Sequence, residues 1–254
     1  MPPRAIACQL YTLRDLTQTD FVGTIGELAQ IGYDAVELAG YGNLRSAGEV
    51  HKVLQDHGMR VAASHTNLEA LERNLARVLD DNQALGSGTV VLSFLPEHRR
   101  KDAAGWRASA EVLNRIGQEC ARHGIDLAYH HHHFEFQKID GQYALDVLWQ
   151  NTDPQFLKAE LDTFWIRYAG EDPARYIARL GSRATHLHLK DLLPGPPVRF
   201  GEIGSGVLDF PGILKAAGKA EVRWGIVEQD STYERAPLEA VRISLEKLKS
   251  LGVA

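Results

Sequence analysis

The chain has 254 residues, of which 44% are hydrophobic and 24% are charged, and this is the composition of an ordinary globular protein. The formal net charge of −5 at pH 7 leaves no basic field for a polyanion, so nucleic acid is excluded as an expected partner. A chain of this length can bury a sizeable core.

No apolar run approaches the roughly 20 residues that a membrane-spanning helix requires, and we expect no membrane partner. Residues 1–4 lead directly into a strand-like run, without the apolar segment of a signal peptide. The two cysteines, Cys8 and Cys120, stand in a strand-like and a helix-like segment. We expect them to be reduced, buried thiols of a cytoplasmic protein.

Short apolar runs alternate with amphipathic segments along the whole chain. The apolar runs predict strands, and the apolar residues at three- and four-residue spacing between them predict helices. The predicted strands cover residues 5–11, 33–38, 59–64, 89–94, 125–132, 156–161, 184–189 and 223–227. The predicted helices cover residues 21–31, 46–57, 68–85, 103–123, 144–150, a segment starting at 173, 211–217 and 237–251.

This alternation predicts an α/β protein with a single (β/α)8 TIM barrel over residues 1–254. Eight strand–helix units fill the chain without an evident linker, as the closed barrel requires. A doubly wound open sheet is the second interpretation. It ranks lower because eight strand–helix units, the number in a closed barrel, account for the whole chain.

Polar residues stand where most of the apolar runs stop. In such barrels the active site lies at the carboxyl ends of the strands, so these side chains are expected to converge. They are Gln9 and Tyr11, Glu37, His65, His130 and His132, Asp162, His188 and Lys190, and Glu228.

The run of four histidines at residues 130–133 cannot face the pocket as a whole. Side chains alternate along a strand, so His130 and His132 share one face while His131 and His133 share the other. We expect the first pair in the pocket and the second at solvent or in packing. Trp165 follows Asp162 closely and could form a wall of the pocket.

Seven motifs are spread over nearly the whole chain: QLYTLR at 9–14, GYDAVE at 32–37, YHHHHFEF at 129–136, ELDT at 160–163, HLHLKD at 186–191, GSGVLDF at 204–210 and VEQD at 227–230. In this order they resemble the xylose isomerase-like sugar phosphate isomerase/epimerase superfamily of metal-dependent barrels. The histidine run is similar to a subgroup pattern YHNHxFEF, from which it departs by having His131 in place of Asn. The set is specific for the superfamily and not for a substrate.

The resemblance implies a divalent metal ion, Mn²⁺ first, with Mg²⁺, Zn²⁺ and Co²⁺ as alternatives. Its implied ligands are Glu135, Asp162, His188 and Glu228. Glu135 is preferred because the resemblance implies a carboxylate there, and His130 or His132 are the competing ligands. The implied substrate-binding residues are Gln9, Glu37, His65, His130, His132, Trp165 and Lys190.

The implied activity is isomerisation or epimerisation of a small sugar, sugar phosphate or polyol through a metal-stabilised enediolate. Glu135 and Glu228, on opposite sides of the substrate, would remove and return the proton. An inosose dehydratase-like or keto-glycoside lyase is the alternative, because the same enediolate can expel a leaving group. Endonuclease IV-like repair is more remote, and the negative net charge opposes it. A non-catalytic sugar-binding barrel is a further alternative for the function. A homo-oligomer is a possible assembly.

Overall fold

The computed structural model describes residues 3–253, and eight parallel strands close into a barrel at its centre. Each strand pairs with its neighbours in the chain, and β8 pairs with β1 to close the sheet. The strands are β1 Ala5–Gln9, β2 Ala35–Leu38, β3 Arg60–Thr66, β4 Thr89–Leu92, β5 Asp126–His130, β6 Leu157–Asp162, β7 Ala184–Leu189 and β8 Trp224–Val227. The predicted (β/α)8 barrel is confirmed.

Helices surround this barrel. They are α1 Arg14–Thr19, α2 Phe21–Ile31, α3 Ala47–Asp56, α4 Leu68–Arg73, α5 Leu75–Leu85, α6 Ala103–Arg122, α7 Ala144–Gln150, α8 Thr163–Tyr168, α9 Pro173–Leu180, α10 Phe210–Lys219 and α11 Pro237–Ser250. None of the helices within residues 3–253 has both the length and the hydrophobicity needed to cross a membrane.

Three strands, β1, β4 and β5, each end two residues earlier than the sequence indicated. β1 stops at Gln9 because the Gln9 side chain accepts a hydrogen bond from the backbone N–H of Tyr11 and starts a 3-10 turn. β5 stops at His130 because the next N–H groups leave the sheet, and that of His132 goes to the Glu135 carboxylate. The alternation rule therefore does not extend through the histidine run.

Other differences lie in the loops. The predicted helix 68–85 is two helices, α4 and α5, because Asn74 between them has the non-helical backbone angles φ −134° and ψ 32°. Helices α1 and α8 were not predicted. Two small antiparallel hairpins were also missed, one pairing Lys138–Ile139 with Gln142–Tyr143 and the other pairing Asp191–Leu193 with Arg199–Gly201.

The strand register brings polar residues side by side at the carboxyl end of the barrel. Gln9 pairs with Glu37 across β1 and β2. His130 pairs with Glu160 across β5 and β6, and Asp162 pairs with His188 across β6 and β7. Because side chains alternate, each of these residues places its side chain on the same inner face as the residue two positions away.

Below this polar layer the barrel is filled by small side chains. One buried cluster contains Ala7, Ala35, Ala62 and Ile226, and a second contains Ala63, Val91 and Ala128. The larger apolar side chains instead form one continuous core between the barrel and its helices.

The packing of α6 on the barrel leaves no room at one helix position. Gly117 lies on the buried side of α6, and a Cβ added there would meet the backbone carbonyl oxygen of Phe156 at 2.0 Å. This carbonyl immediately precedes β6, so Gly117 sets how closely the helix approaches the strand that carries Glu160 and Asp162.

We expect Gly117→Ala to lower the thermal stability, because α6 has to move away from Phe156. Overpacking of this kind costs about 1–3 kcal/mol, which corresponds to a fall of roughly 3–10 °C in Tm. The matched control is Gly48→Ala in α3, where an added Cβ meets nothing within 4 Å and alanine favours the helix by about 1 kcal/mol. Calorimetry showing an equal loss of Tm in both variants would contradict this explanation.

Candidate active site

A layer of buried polar side chains closes the barrel at the carboxyl ends of its strands. All of these side chains are buried except that of His65, which is partly exposed. Each one stands on a barrel strand other than β4, or just after such a strand. The layer consists of Gln9, Glu37, His65, His130, Glu160, Asp162, His188, Lys190 and Glu228.

His188 is the centre of this layer. Its Nε2 lies 2.5 Å from Glu37 Oε2 and 3.1 Å from Glu160 Oε1, and its Nδ1 lies 2.7 Å from Glu228 Oε2. Burial opposes protonation of the ring, but Glu160, Glu228 and Glu37 outweigh it and raise the pKa of His188 well above its usual value. One imidazole therefore links three carboxylates.

His65 joins the same carboxylates from β3. Its Nε2 lies 2.9 Å from Glu160 Oε1 and 3.2 Å from Glu37 Oε2. Burial lowers the pKa of His65, but Glu37 and Glu160 together raise it to about 10. Glu37, His65, Glu160 and His188 each offer one ligand atom, and all of these atoms lie within 4.8 Å of one another.

Lys190 carries a fully desolvated ammonium group on the other side of His188. Its side chain is 2% exposed. The Nζ atom lies 2.9 Å from Asp162 Oδ2, 2.5 Å from Glu228 Oε2 and 2.7 Å from Asp230 Oδ1. Burial lowers the pKa of Lys190, and the three carboxylates outweigh that effect and raise it well above its usual value.

A second set of converging ligand atoms contains His130, Asp162 and His188. The Asp162 Oδ2 atom lies 4.0 Å from His130 Nε2 and 4.0 Å from His188 Nδ1. The other oxygen, Oδ1, caps helix α8 by accepting a hydrogen bond from the N–H of Trp165. Burial raises the pKa of Asp162 to about 6, although Lys190 and His188 oppose the shift.

A cavity of about 470 Å³ opens above the layer. Its wall includes His65, His130, His132, Lys190 and Glu228, together with Gln9, Tyr11, Ala39, Gly40, Thr66, Asn67, Ser93, Phe94 and Asp230. Glu37, Glu160 and Asp162 are fully buried. Among the carboxylates that contact His188, Glu228 is therefore the one that reaches the cavity.

The donor set fits a divalent metal ion. Two buried carboxylate oxygens of the layer, Glu37 Oε1 and Glu160 Oε2, make no hydrogen bond within residues 3–253. Buried polar atoms are nearly always satisfied, so these two oxygens indicate an additional partner. Carboxylate oxygens and imidazole nitrogens are the ligands that Zn²⁺ and Mn²⁺ take in proteins.

Glu135, predicted as the first metal ligand, is not part of either converging set. It lies on a 3-10 turn beyond the end of β5, fully buried, and both of its carboxylate oxygens are used. Oε1 accepts a hydrogen bond from the Tyr129 hydroxyl, and Oε2 accepts one from the backbone N–H of His132. Burial raises its pKa to about 7, although both hydrogen bonds oppose the shift.

Asp162, His188 and Glu228, the other three predicted ligands, do lie together. Of the predicted substrate-binding residues, Gln9, His65, His130, His132 and Lys190 line the cavity. Glu37 is buried behind Gln9, whose Nε2 donates to it over 2.7 Å, and Trp165 lies beside the rings of His132 and His133 instead of in the cavity wall.

Glu160 is the residue of this layer that the sequence reasoning missed. It stands two positions before Asp162 on β6, so the same alternation that predicts an inward Asp162 also predicts an inward Glu160. His131, expected at solvent or in packing, is fully buried, and its Nε2 accepts a hydrogen bond from the backbone N–H of Asp162.

The fold agrees with a comparison against protein-family models. Residues 25–251 match the model described as xylose isomerase-like TIM barrel. The chain belongs to this family. The resemblance read from its motifs is thereby confirmed.

One curated protein and two solved structures are similar to this xylose isomerase-like chain. An inosose dehydratase of Mesomycoplasma hyopneumoniae is 30% identical over 164 residues, which cover 56% of this chain and 53% of the relative, so the match spans about half the relative's length. A crystal structure of a sugar phosphate isomerase/epimerase from Parabacteroides distasonis superposes with a TM-score of 0.85 at 24% identity, covering 97% of this chain and 94% of that one. An IolI protein with a bound zinc atom superposes with a TM-score of 0.72 at 14% identity, covering 97% of each chain.

In this member of the family a buried aspartate shapes the loop after β7. Asp191 Oδ2 accepts hydrogen bonds from the N–H groups of Gly204 and Gly206, and Oδ1 accepts them from Leu192 and Leu208. A Cβ at Gly206 would lie 2.2 Å from the carbonyl oxygen of Leu192, so the loop can close around the carboxylate only with glycine there.

We expect Asp191→Asn to loosen this loop, because an amide NH₂ would replace one acceptor and face backbone donors. Hydrogen bonds to a charged group contribute about 1.5–3 kcal/mol, so amide hydrogen exchange at residues 204–208 is expected to accelerate by at least tenfold. Asp209→Asn is the matched control, since Asp209 caps α10 from an exposed position and asparagine caps helices equally well. Unchanged exchange in Asp191→Asn would refute this role.

Proposed function

We propose that the chain is a metal-dependent enzyme that moves a proton at the carbon next to a carbonyl group of a small sugar or polyol, with isomerisation or epimerisation as the result. The observation that carries the proposal is the cavity wall, in which two carboxylates, an ammonium group and three imidazoles face one space of sugar size. This is the equipment of acid–base chemistry on a polyhydroxy ketone.

The two sets of converging ligand atoms, which share His188, are the places where a divalent ion would be held. Such an ion supplies Lewis-acid polarisation of a carbonyl oxygen. The zinc atom of the IolI protein supports the presence of an ion without fixing its identity here.

Glu228 is the side chain placed to remove the proton. It is 6% exposed and lines the cavity. Its Oε2 is held by Lys190 and His188 at 2.5 and 2.7 Å, which fixes the carboxylate and leaves Oε1 for the substrate. Lys190 lies next to it and can donate a hydrogen bond to the oxygen on which charge develops.

The second proton-transfer group is an imidazole in this proposal. Glu135 has both oxygens engaged with Tyr129 and His132 and is absent from the cavity wall. His65, His130 and His132 are in the wall, with ring centroids 5.5 Å apart for the first two and 4.9 Å apart for the last two. These rings can hold substrate hydroxyls and return a proton.

Dehydration is the second candidate, and the inosose dehydratase relative favours it. After the same proton loss, a hydroxyl group on the next carbon leaves as water if an acid protonates it. A carboxylate such as Glu228 in a wall with several imidazoles suits such an elimination as well as it suits proton transfer between two positions.

We expect the metal-loaded protein to exchange substrate hydrogen for deuterium in D₂O when it is given a panel of ketoses and inososes. NMR would locate the deuterium next to the carbonyl, and Glu228→Gln is expected to reduce the rate by roughly 10²–10⁴-fold. Glu246→Gln, which changes an exposed carboxylate paired with Arg242 on α11, is the control and is expected to keep the full rate.

The products separate the two candidates. An isomer or epimer of unchanged mass indicates the first, and a product that has lost one water indicates dehydration. Neither exchange nor dehydration with any member of the panel would contradict the proposal for these substrate classes.

A further inference from the structure

We propose that Asp230 selects uncharged substrates, because its carboxylate accepts a hydrogen bond from a hydroxyl group of a sugar or polyol and repels a phosphate group at the same place. This inference rests on the proposed function and names the substrate class of the same cavity. Asp230 was not among the residues that the sequence predicted for the site.

Asp230 is held at the cavity from two sides. It stands two positions after Glu228 in the segment that follows β8, and it lines the cavity wall. Lys190 Nζ donates a hydrogen bond to its Oδ1 atom over 2.7 Å. Arg14 Nη2 donates one to its backbone carbonyl oxygen over 3.1 Å. Both the side chain and the backbone of Asp230 are therefore fixed before a substrate arrives.

The Asp230 carboxylate is also more accessible than the other carboxylate and the ammonium group of the wall. Its side chain is 29% exposed, whereas those of Glu228 and Lys190 are 7% and 2% exposed. Oδ1 takes the hydrogen bond from Lys190, and no donor among residues 3–253 reaches Oδ2. This oxygen is free to accept a substrate hydroxyl group, and a charge-assisted hydrogen bond is roughly twice as strong as a neutral one.

The cations of the wall are already paired. No arginine is among the described residues that line the cavity, and the Lys190 ammonium contacts three carboxylates. The Nε2 atom of His65 lies 2.9 Å from Glu160 and 3.2 Å from Glu37. Proteins bind phosphate groups through arginine, lysine or free backbone N–H groups. A phosphate beside Asp230 would therefore meet a carboxylate without an unpaired side-chain cation to offset the repulsion.

The remaining polar side chains of the wall suit hydroxyl groups. They are uncharged and stand at several points around the cavity, and they include Tyr11, Thr66, Asn67 and Ser93. Side chains of these types both donate and accept hydrogen bonds, as the hydroxyl groups of a sugar do. The wall is thus suited to a polyhydroxy compound, and Asp230 adds a charged acceptor to it.

The test compares affinities for charged and uncharged forms of one ligand. The metal-loaded protein is titrated, with ligand-observed NMR, with the ketoses and inososes of the exchange experiment and with their monophosphate esters, for example D-fructose against its 1-phosphate and 6-phosphate. The wild type is expected to bind the uncharged form roughly 100-fold more tightly, since like charges in contact cost several kcal/mol.

Asp230→Asn is expected to bind the uncharged form roughly three- to tenfold more weakly, because a neutral acceptor replaces a charged one. Its preference for the uncharged form over the phosphate ester is expected to fall by roughly tenfold or more, because the repulsion is removed. Wild type and variant are compared at the same metal loading, so the contribution of the ion cancels.

Two further variants are the controls. Asp230→Glu keeps the charge and is expected to keep the preference for the uncharged form. Glu234→Gln removes a charge from the same loop, at a side chain that is 86% exposed and outside the cavity wall. Because solvent and salt screen such a charge, both affinities are expected to stay within about twofold of the wild type.

Equal or tighter binding of the phosphate ester by the wild type would overturn the inference, and this measurement decides alone if a variant does not fold. An unchanged preference in Asp230→Asn would also overturn it, since a residue that only pairs with Lys190 would change both affinities alike. The expected preference with neither exchange nor dehydration would contradict the proposed function and not this inference. Binding of neither form would contradict both.

Discussion

The constraint on which this structure depends is the balance of buried charge at the carboxyl end of the barrel. Glu37, Glu160, Asp162 and Glu228 are withdrawn from water, and a buried carboxylate without a partner is far more costly than one on the surface. Lys190 and the imidazoles supply the positive charge that keeps these groups together. The site is therefore a single network, in which each of the four carboxylates contacts Lys190 or an imidazole.

The barrel supports this network because its paired strands fix the backbone positions of the charged residues. Parallel pairing places His130 beside Glu160 and Asp162 beside His188, so the strand register itself brings these side chains close together. The layer beneath is built of alanines such as Ala7 and Ala35, which leave the space above them to longer polar side chains. Rigid strands of this kind are a better support for a reacting group than mobile loops.

Much of this arrangement could be predicted from the sequence because it follows from two regular features. The apolar runs predict the strands, and alternation at their ends predicts the inward positions of Gln9, His130 and His188. The same alternation rule also predicts that Glu160 points inward. What the rule cannot supply is the conformation after a strand ends: β5 stops at His130, so the position of Glu135 depends on a turn and on its hydrogen bonds to Tyr129 and His132.

The ion pairs of Lys190 could not be predicted from the sequence, for a different reason. Its partners, Asp162, Glu228 and Asp230, come from other parts of the chain, and a Lys at a strand end is compatible with a solvent-exposed role, with an ion pair or with a substrate contact. Only the three-dimensional structure shows that the ammonium group forms ion pairs with three carboxylates at once. Residue types can be assigned to a pocket from sequence, but their pairing within it cannot.

The Asp191 loop has a consequence for anion binding after β7. In many (β/α)8 enzymes the loops after the last strands offer free backbone N–H groups to a phosphate. Here the N–H groups of Gly204, Gly206 and Leu208 already donate to the Asp191 carboxylate, and those of Ser205 and Val207 donate to the backbone carbonyls of Glu202 and Leu192. An internal carboxylate thus takes the place that a phosphate occupies in those enzymes, and the N–H groups of residues 204–208 are already paired within the protein.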